Sequence, residues 1–240
     1  MTQPESVPPT WKPPAKISKK TIKMEKVGKF LINPDHFRVA IFGSARIKPN
    51  DPRYNQIYSL ARMIAREGMD VVTGGGPGLM EAANKGHKEG RKSKKVRSLG
   101  LNIMLPKEQK ANKHLDVHRE FTRFSERLDY FMKLSNVIVV APGGVGTLLE
   151  LMYTWQLIQV KHSCNIPIIL LGEMWEHFID WIEKYPLRKR MISQKDMMPI
   201  FLARHCREAM KIIRKAQHDF IHRGPDYCWN YRKYKLENGE

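Results

Sequence analysis

The stretch VIVVAPGGVGTLLELMYTWQ, Val137 to Gln156, joins an apolar run to a proline, then to Gly143, Gly144, Gly146 and Thr147, and then to a helical pattern carrying one acid, Glu150. Glycine lets the backbone take otherwise strained angles and lets a ligand approach the amides. A helix start presents unpaired N–H groups and a positive dipole end, which together favour an anion. Thr147 adds a hydroxyl donor. The turn reads as a phosphate cradle, against the alternative of a tight structural turn. It lacks the Gly-Lys-Ser/Thr of a P-loop and the G-x-G-x-x-G of a dinucleotide site, which GGGPGL at 74–79 only approaches.

Glu150 is expected in the first turn of that helix. A first-turn glutamate can simply complement the helix dipole, worth ~0.3–1 kcal/mol. Its neighbours Leu148, Leu149, Leu151 and Met152 are apolar, however, so this turn is not a solvated face. A carboxylate beside a phosphate cradle sits where a sugar would extend from the phosphate. Arg127 is its companion. It either forms an exposed bridge to Glu126 or Asp129, of little energetic value, or grips phosphate or ribose oxygens in bidentate fashion.

The surrounding pattern alternates strand and helix. Strands are predicted at 38–43, 69–73, 98–105, 136–141, 166–172 and near 198–202, and helices at 51–68, 79–90, 125–135, 146–160, 173–185 and 204–220. The stretch 107–122 is polar and carries no clear period. His114 and His118 within it, four apart and without an acidic or cysteine partner in sequence, read as helix-surface histidines rather than metal ligands. Nearly continuous apolar strands argue for a parallel sheet covered on both faces, an α/β doubly wound arrangement in one domain. Ligands bind such sheets beyond the carboxyl ends of the strands. Three strands end there in small residues: GSAR with Gly43 and Ser44, TGGGPG from Thr73 to Gly78, and PGGVGT.

The 240 residues suffice for this one domain, flanked by a basic Pro/Lys-rich tail at 1–30 and a basic aromatic tail at 221–240, with the domain at 31–220. No run approaches a membrane span, and the first residues lack the apolar core of a secretory signal. Three widely spaced cysteines, Cys164, Cys206 and Cys228, fit a reduced, cytoplasmic setting with no metal site. The net charge of +18 points to an anionic partner, a nucleotide, nucleic acid or an anionic membrane surface, or to a merely solvated basic surface. The aromatics Tyr227, Trp229, Tyr231 and Tyr234 cluster in the second tail. The helix over 146–160 is apolar nearly all round, which places it centrally or in a subunit interface.

Three stretches, TGGGPGLMEAANKG (73–86), SERLDYFMKLSN (125–136) and PGGVGTLLE (142–150), resemble the LOG (lonely guy) family, long labelled as lysine decarboxylases. The last fits the family's P-G-G-x-G-T-x-x-E pattern at every fixed position, and Arg127 precedes its proline by fifteen residues as in the family. The resemblance spans about residues 38–215. It implies a Rossmann-like fold, a homodimer or higher homo-oligomer, no cofactor, and hydrolysis of a nucleoside 5′-monophosphate to free base and ribose 5-phosphate. It makes Arg127 and Glu150 the catalytic pair and gives the phosphate to Gly143, Gly144, Gly146 and Thr147. Ser44, Gly75, Met80 and Glu81 would lie around the ligand. Leu128 replaces a lysine of plant-type members and Gln156 a common threonine, departures that bear on cytokinin ribotides as substrates. The alternative is a non-catalytic nucleotide- or phosphoryl-ligand-binding protein, with nucleic acid as a further partner through the basic surface.

Overall fold

The computed structural model describes residues 35–105 and 110–224, and before them the backbone of two short antiparallel strands, β1 (Lys26–Val27) and β2 (Phe30–Leu31). Seven further strands follow: β3 (Arg38–Phe42), β4 (Asp70–Thr73), β5 (Ser98–Ile103), β6 (Val117–Phe121), β7 (Val137–Val140), β8 (Ile168–Leu171) and β9 (Ile200–Ala203). They form one all-parallel sheet in the order β6-β5-β4-β3-β7-β8-β9. The expected α/β, Rossmann-like doubly wound sheet is thus present. Every residue of β3, β4, β7 and β8 is buried, which is why β7 and β8 read as unbroken apolar runs; β3 and β4 bury Arg38, Asp70 and Thr73 among their apolar residues.

The helices are α1 (Pro52–Arg66), α2 (Leu79–Gly90), α3 (Phe124–Leu134), α4 (Val145–Gln159), α5 (Met174–Ile182), α6 (Gln194–Met197) and α7 (Cys206–Arg223). Alternation along β3 splits the core in two. Val39 and Ile41 point to a cluster with Ile57, Leu60 and Ile64 of α1, Leu79 and Ala83 of α2, and Met210 and Ile213 of α7. Ala40 and Phe42 point the other way, to Phe131 of α3, Leu151 and Trp155 of α4, and Trp175 of α5. Phe42 and Phe131 meet edge to face, ring centres 5.0 Å apart.

The chain builds outward from β3 to β6, then returns to lay β7 on the other side of β3. The connections after β3 and β7 therefore leave toward opposite faces. They open a crevice at the carboxyl edge, the usual ligand position in such sheets.

Several expectations change. The polar stretch left unassigned holds β6, paired residue for residue with β5 from Leu99↔Val117 to Ile103↔Phe121. It is an edge strand with only Val117 and Phe121 buried, so it carries no apolar run. His118 lies in this strand and His114 in the connection before it, not on a helix. The segment after α5 tightens into a π-type turn, Glu183–Leu187, around Pro186. Helix α4 begins at Val145, so Glu150 falls in its second turn, too deep to serve as a cap. Cys206 is a free thiol. Most of the 1–30 and 221–240 tails, including the four clustered aromatics, lies outside the described residues. Among the described residues no helix is long and apolar enough to cross a membrane, and no group of three or more His, Cys, Asp or Glu is arranged to hold a metal ion.

Candidate active site

Three loops meet at the carboxyl edge. Ser44 donates its N–H to the Pro142 carbonyl at 3.1 Å and accepts from the Leu79 N–H at 2.9 Å, tying the β3 loop to both the β7 turn and the start of α2. The Ser44 hydroxyl accepts from the Arg46 N–H at 3.1 Å. The β4 loop, Gly74 to Gly78, is held from below by polar side chains that the sequence did not single out. Thr73 Oγ1 donates to Asn84 Oδ1 at 2.8 Å and accepts from the Gly75 N–H at 2.9 Å. Asn84 Nδ2 reaches Ser98 Oγ at 2.8 Å. Asn112 Nδ2 donates to Asn84 Oδ1 and to the Gly76 carbonyl, both at 2.9 Å. A polar residue on the buried stripe of an amphipathic helix, as Asn84 is among Leu79, Ala82, Ala83 and Gly86, is the signal that marks this network.

Gly75 is buried, with φ +72°, and a Cβ there would lie 2.0 Å from Asn102 Oδ1. Packing against β5 thus accounts for that glycine. The β7 turn differs. A Cβ on Gly143 would fall 2.1 Å from Thr147 Oγ1, so the turn closes directly over the threonine, whose side chain is buried beneath it. Gly144 and Gly146 are exposed and border open space, so nothing in the chain itself demands glycine there. Gly144 is the N-cap of α4 and makes no side-chain cap, leaving the first amides of the helix facing outward. Gly143→Ala is expected to displace Thr147 and the first turn of α4. It should cost about 1–3 kcal/mol of stability, read as a lower midpoint in urea with an unchanged slope.

Arg127 and Glu150 come together although they are 23 residues apart. Arg127 Nη2 donates to Glu150 Oε1 in a direct ion pair, and both side chains are about nine-tenths covered. Residues 122–126 leading into α3 are exposed, whereas Arg127 turns inward. Its guanidinium carbon lies 5.5 Å from the Phe131 ring centre and 5.9 Å from that of Phe124, and its Nε has no hydrogen-bond partner. The bridges weighed from sequence do not form: Glu126 pairs with Arg119, and Asp129 accepts from the Tyr153 hydroxyl at 2.5 Å. Burial pushes the Glu150 carboxyl up to about 7, with the Arg127 charge opposing the rise.

Met80 and Arg127 both border Gly74: a Cβ there would be 2.7 Å from Met80 Sδ and 3.6 Å from Arg127 Nη1. Glu81 is in the first turn of α2, half-buried, with its Oε1 3.9 Å from His114 Nε2. Arg127, Glu150, Met80 and the β4 and β7 turns therefore converge, while Gly75 and Thr147 sit in the wall behind them. A separate cavity of about 640 Å³ is lined entirely by residues 187–196, including Arg190 and Asp196, and shares none of these groups. It lacks a buried charged pair and carries no comparable chemistry.

A doubly wound parallel sheet with a buried arginine–glutamate pair beside glycine turns at its carboxyl edge defines the class. The chain belongs to the family described as possible lysine decarboxylase, the LOG family, whose model matches residues 80–213. It is similar to the pyrimidine/purine nucleotide 5′-monophosphate nucleosidase of Escherichia coli K12, 26% identical over 140 residues, which is 56% of this chain and 30% of that protein. The protein of that name from Escherichia coli O157:H7 matches equally. The match thus spans less than a third of the curated relatives. In fold the chain resembles the molybdenum cofactor binding protein of Rippkaea orientalis, with 19% identity, TM-score 0.56, and coverage of 75% of this chain and 96% of that one. It likewise resembles the molybdenum cofactor carrier protein of Chlamydomonas reinhardtii, with 20% identity, TM-score 0.54, and coverage of 76% and 99%.

Proposed function

We propose that the protein hydrolyses the N-glycosidic bond of a nucleoside 5′-monophosphate, releasing the base and ribose 5-phosphate. The observation that carries this reading is the buried Arg127–Glu150 pair at the mouth of the α4 amide cradle. The exposed amides around Gly144 and Gly146, with Arg127, hold the phosphate and fix the ribose beside Glu150. Cleavage passes through an oxocarbenium-like ribose. Glu150 takes a proton from the attacking water and stabilises the positive charge growing at the anomeric carbon. Binding of the remote phosphate is converted into orientation at the reacting bond. The nucleosidase name of the Escherichia coli relatives supports the substrate class.

The active form is a homodimer or higher homo-oligomer. Helix α4 buries only one side of its apolar surface, and Val145, Leu149 and Met152 remain exposed, as does Phe124 of α3. Such a patch rimming a site favours a second copy of the chain over solvent.

The direct test is incubation with a panel of purine and pyrimidine 5′-monophosphates, scoring free base and ribose 5-phosphate, with the unphosphorylated nucleosides as controls. Base release confined to the monophosphates is expected. Turnover of nucleosides at equal rates removes the phosphate cradle from the account. A carboxyl raised to about 7 has a second consequence. Selective ¹³C labelling of glutamate should show one resonance titrating near neutrality, lost in Glu150→Gln, and activity should fall on acidification as the base is protonated. A Glu150 signal that titrates with the exposed glutamates excludes this environment.

A further inference from the structure

A purine leaving ribose 5-phosphate takes the bonding electrons onto N9 and departs readily only when its ring receives a proton. A guanidinium is not a proton donor for catalysis, and Glu150 is engaged with that of Arg127. Another group must supply the proton.

We propose, on the phosphoribohydrolase reading above, that His114 is the general acid for the leaving base and that Glu81 orients its imidazolium. His114 is carried at the site by Asn112, which ties the β5–β6 connection to the β4 loop. Asn112 donates its N–H to the Gly75 carbonyl at 2.9 Å, and its Oδ1 accepts the His114 N–H at 3.1 Å. The imidazole is largely covered, with its Nε2 3.9 Å from Glu81 Oε1. That separation is too long for a hydrogen bond, so the carboxylate's charge acts on the ring while the Nε2–H stays available for transfer. Gly74 lies between the two ends of the site: a Cβ there would be 3.6 Å from Arg127 Nη1 and 2.7 Å from Met80 Sδ, and Met80 precedes Glu81, whose Oε1 is 3.9 Å from His114 Nε2.

Burial draws the His114 ring below its ordinary range, opposed by Glu81 and reinforced by Lys113, Lys88 and Lys85. These are the charged groups that act on it from α2 and from its own segment. An imidazolium so placed is a stronger proton donor than one in water, and an incoming phosphate dianion offsets the lysines.

The step balances. The C1′–N9 bond breaks and its electron pair passes to the base, whose N7 takes the proton from His114 Nε2. Water adds its oxygen to C1′ and gives its proton to Glu150. Solvent then returns a proton to His114 and removes one from Glu150.

N7-methylated purine nucleotides test this, because their bases carry the positive charge before the bond breaks and leave neutral without taking a proton. AMP and GMP are compared with 7-methyl-AMP and 7-methyl-GMP in wild type, His114→Ala and His114→Gln, with thermal melting as the fold control. Loss of about 10²-fold or more on AMP and GMP, with less than about 3-fold on the methylated pair, is expected. Equal losses on both pairs, or no loss on AMP and GMP, overturn the assignment of His114 alone. Glu81→Gln should lower the AMP rate less than His114→Ala and again spare the methylated pair; an equal loss on both substrates removes its orienting role. A wild-type protein releasing no base from any of the four nucleotides overturns the hydrolase reading itself.

Discussion

Glu150→Gln is expected to lower base release at least about 10³-fold while leaving the fold intact, given the sizes of general-base and electrostatic terms in comparable sites. Glutamine matches glutamate in shape and keeps an oxygen to accept from Arg127 Nη2. What it removes is the charge that opposes the oxocarbenium ion and the acceptor for the water's proton. The same substitution acts on stability in two opposed ways: the neutral amide escapes the burial cost that raises the carboxyl, while the Arg127 charge loses its counter-ion, so what is diagnostic is the pH dependence. A carboxyl whose folded-state pKa lies near 7, above an unfolded value of about 4.5, binds more protons folded than unfolded within that window. Wild-type stability from this group therefore falls as pH rises from about 4.5 to 7 and levels off above. Glutamine does not titrate, so the variant's stability relative to wild type rises across the same window. Chromatographic base release and melting curves at pH 5 and pH 8 check both halves. A variant retaining wild-type turnover removes Glu150 from the chemistry.

How far the sequence foretold this arrangement depends on what kind of signal each part leaves. The central strands announce themselves because burial on both faces demands an apolar run, as VIVV at β7 and IILL at β8 show. Strand β6, VHREF, has the same backbone pairing, but it is the last strand in the sheet order and its middle residues are exposed or half-buried, so its composition resembles a loop. Glycine turns were legible as turns, yet not as to purpose: Gly75 answers to Asn102 across the sheet edge, and Gly144 to nothing within the chain. The Thr73–Asn84–Asn112 network left one mark, the polar Asn84 on the buried stripe of α2, and no more, because its members are far apart in sequence and Thr73 and Asn112 alone are ordinary polar residues. Arg127 and Glu150 were picked out by spacing and motif, but their direct contact across 23 residues, and the burial that raises the Glu150 pKa, are properties of the packed chain.

The pair also separates stability from chemistry. Two ions buried together regain in mutual attraction only part of the hydration they lose, whereas removing one partner strands the other. Arg127→Met should therefore destabilise the protein at pH 8 by on the order of 3–5 kcal/mol, since Glu150 would remain covered and charged. The loss should shrink at pH 5, where that carboxyl, freed of the opposing guanidinium, is protonated and no longer penalised by burial. Adding Glu150→Leu to Arg127→Met replaces both ions by apolar volume among Phe131, Phe124 and Leu151. It should restore most of the stability at either pH, and the coupling between the two sites should exceed additivity. Neither variant should release base. Urea unfolding of the four members of this cycle at the two pH values provides the measurement. If Arg127→Met is as stable as wild type at pH 8, the pair is not a buried ion couple and the reason for placing chemistry there disappears. If the double variant folds well and is inert, the chain maintains at this edge a charge pair that its fold does not need. In that outcome leucine and methionine close the sheet there as well as the ions do, and the proposed chemistry is what accounts for the pair.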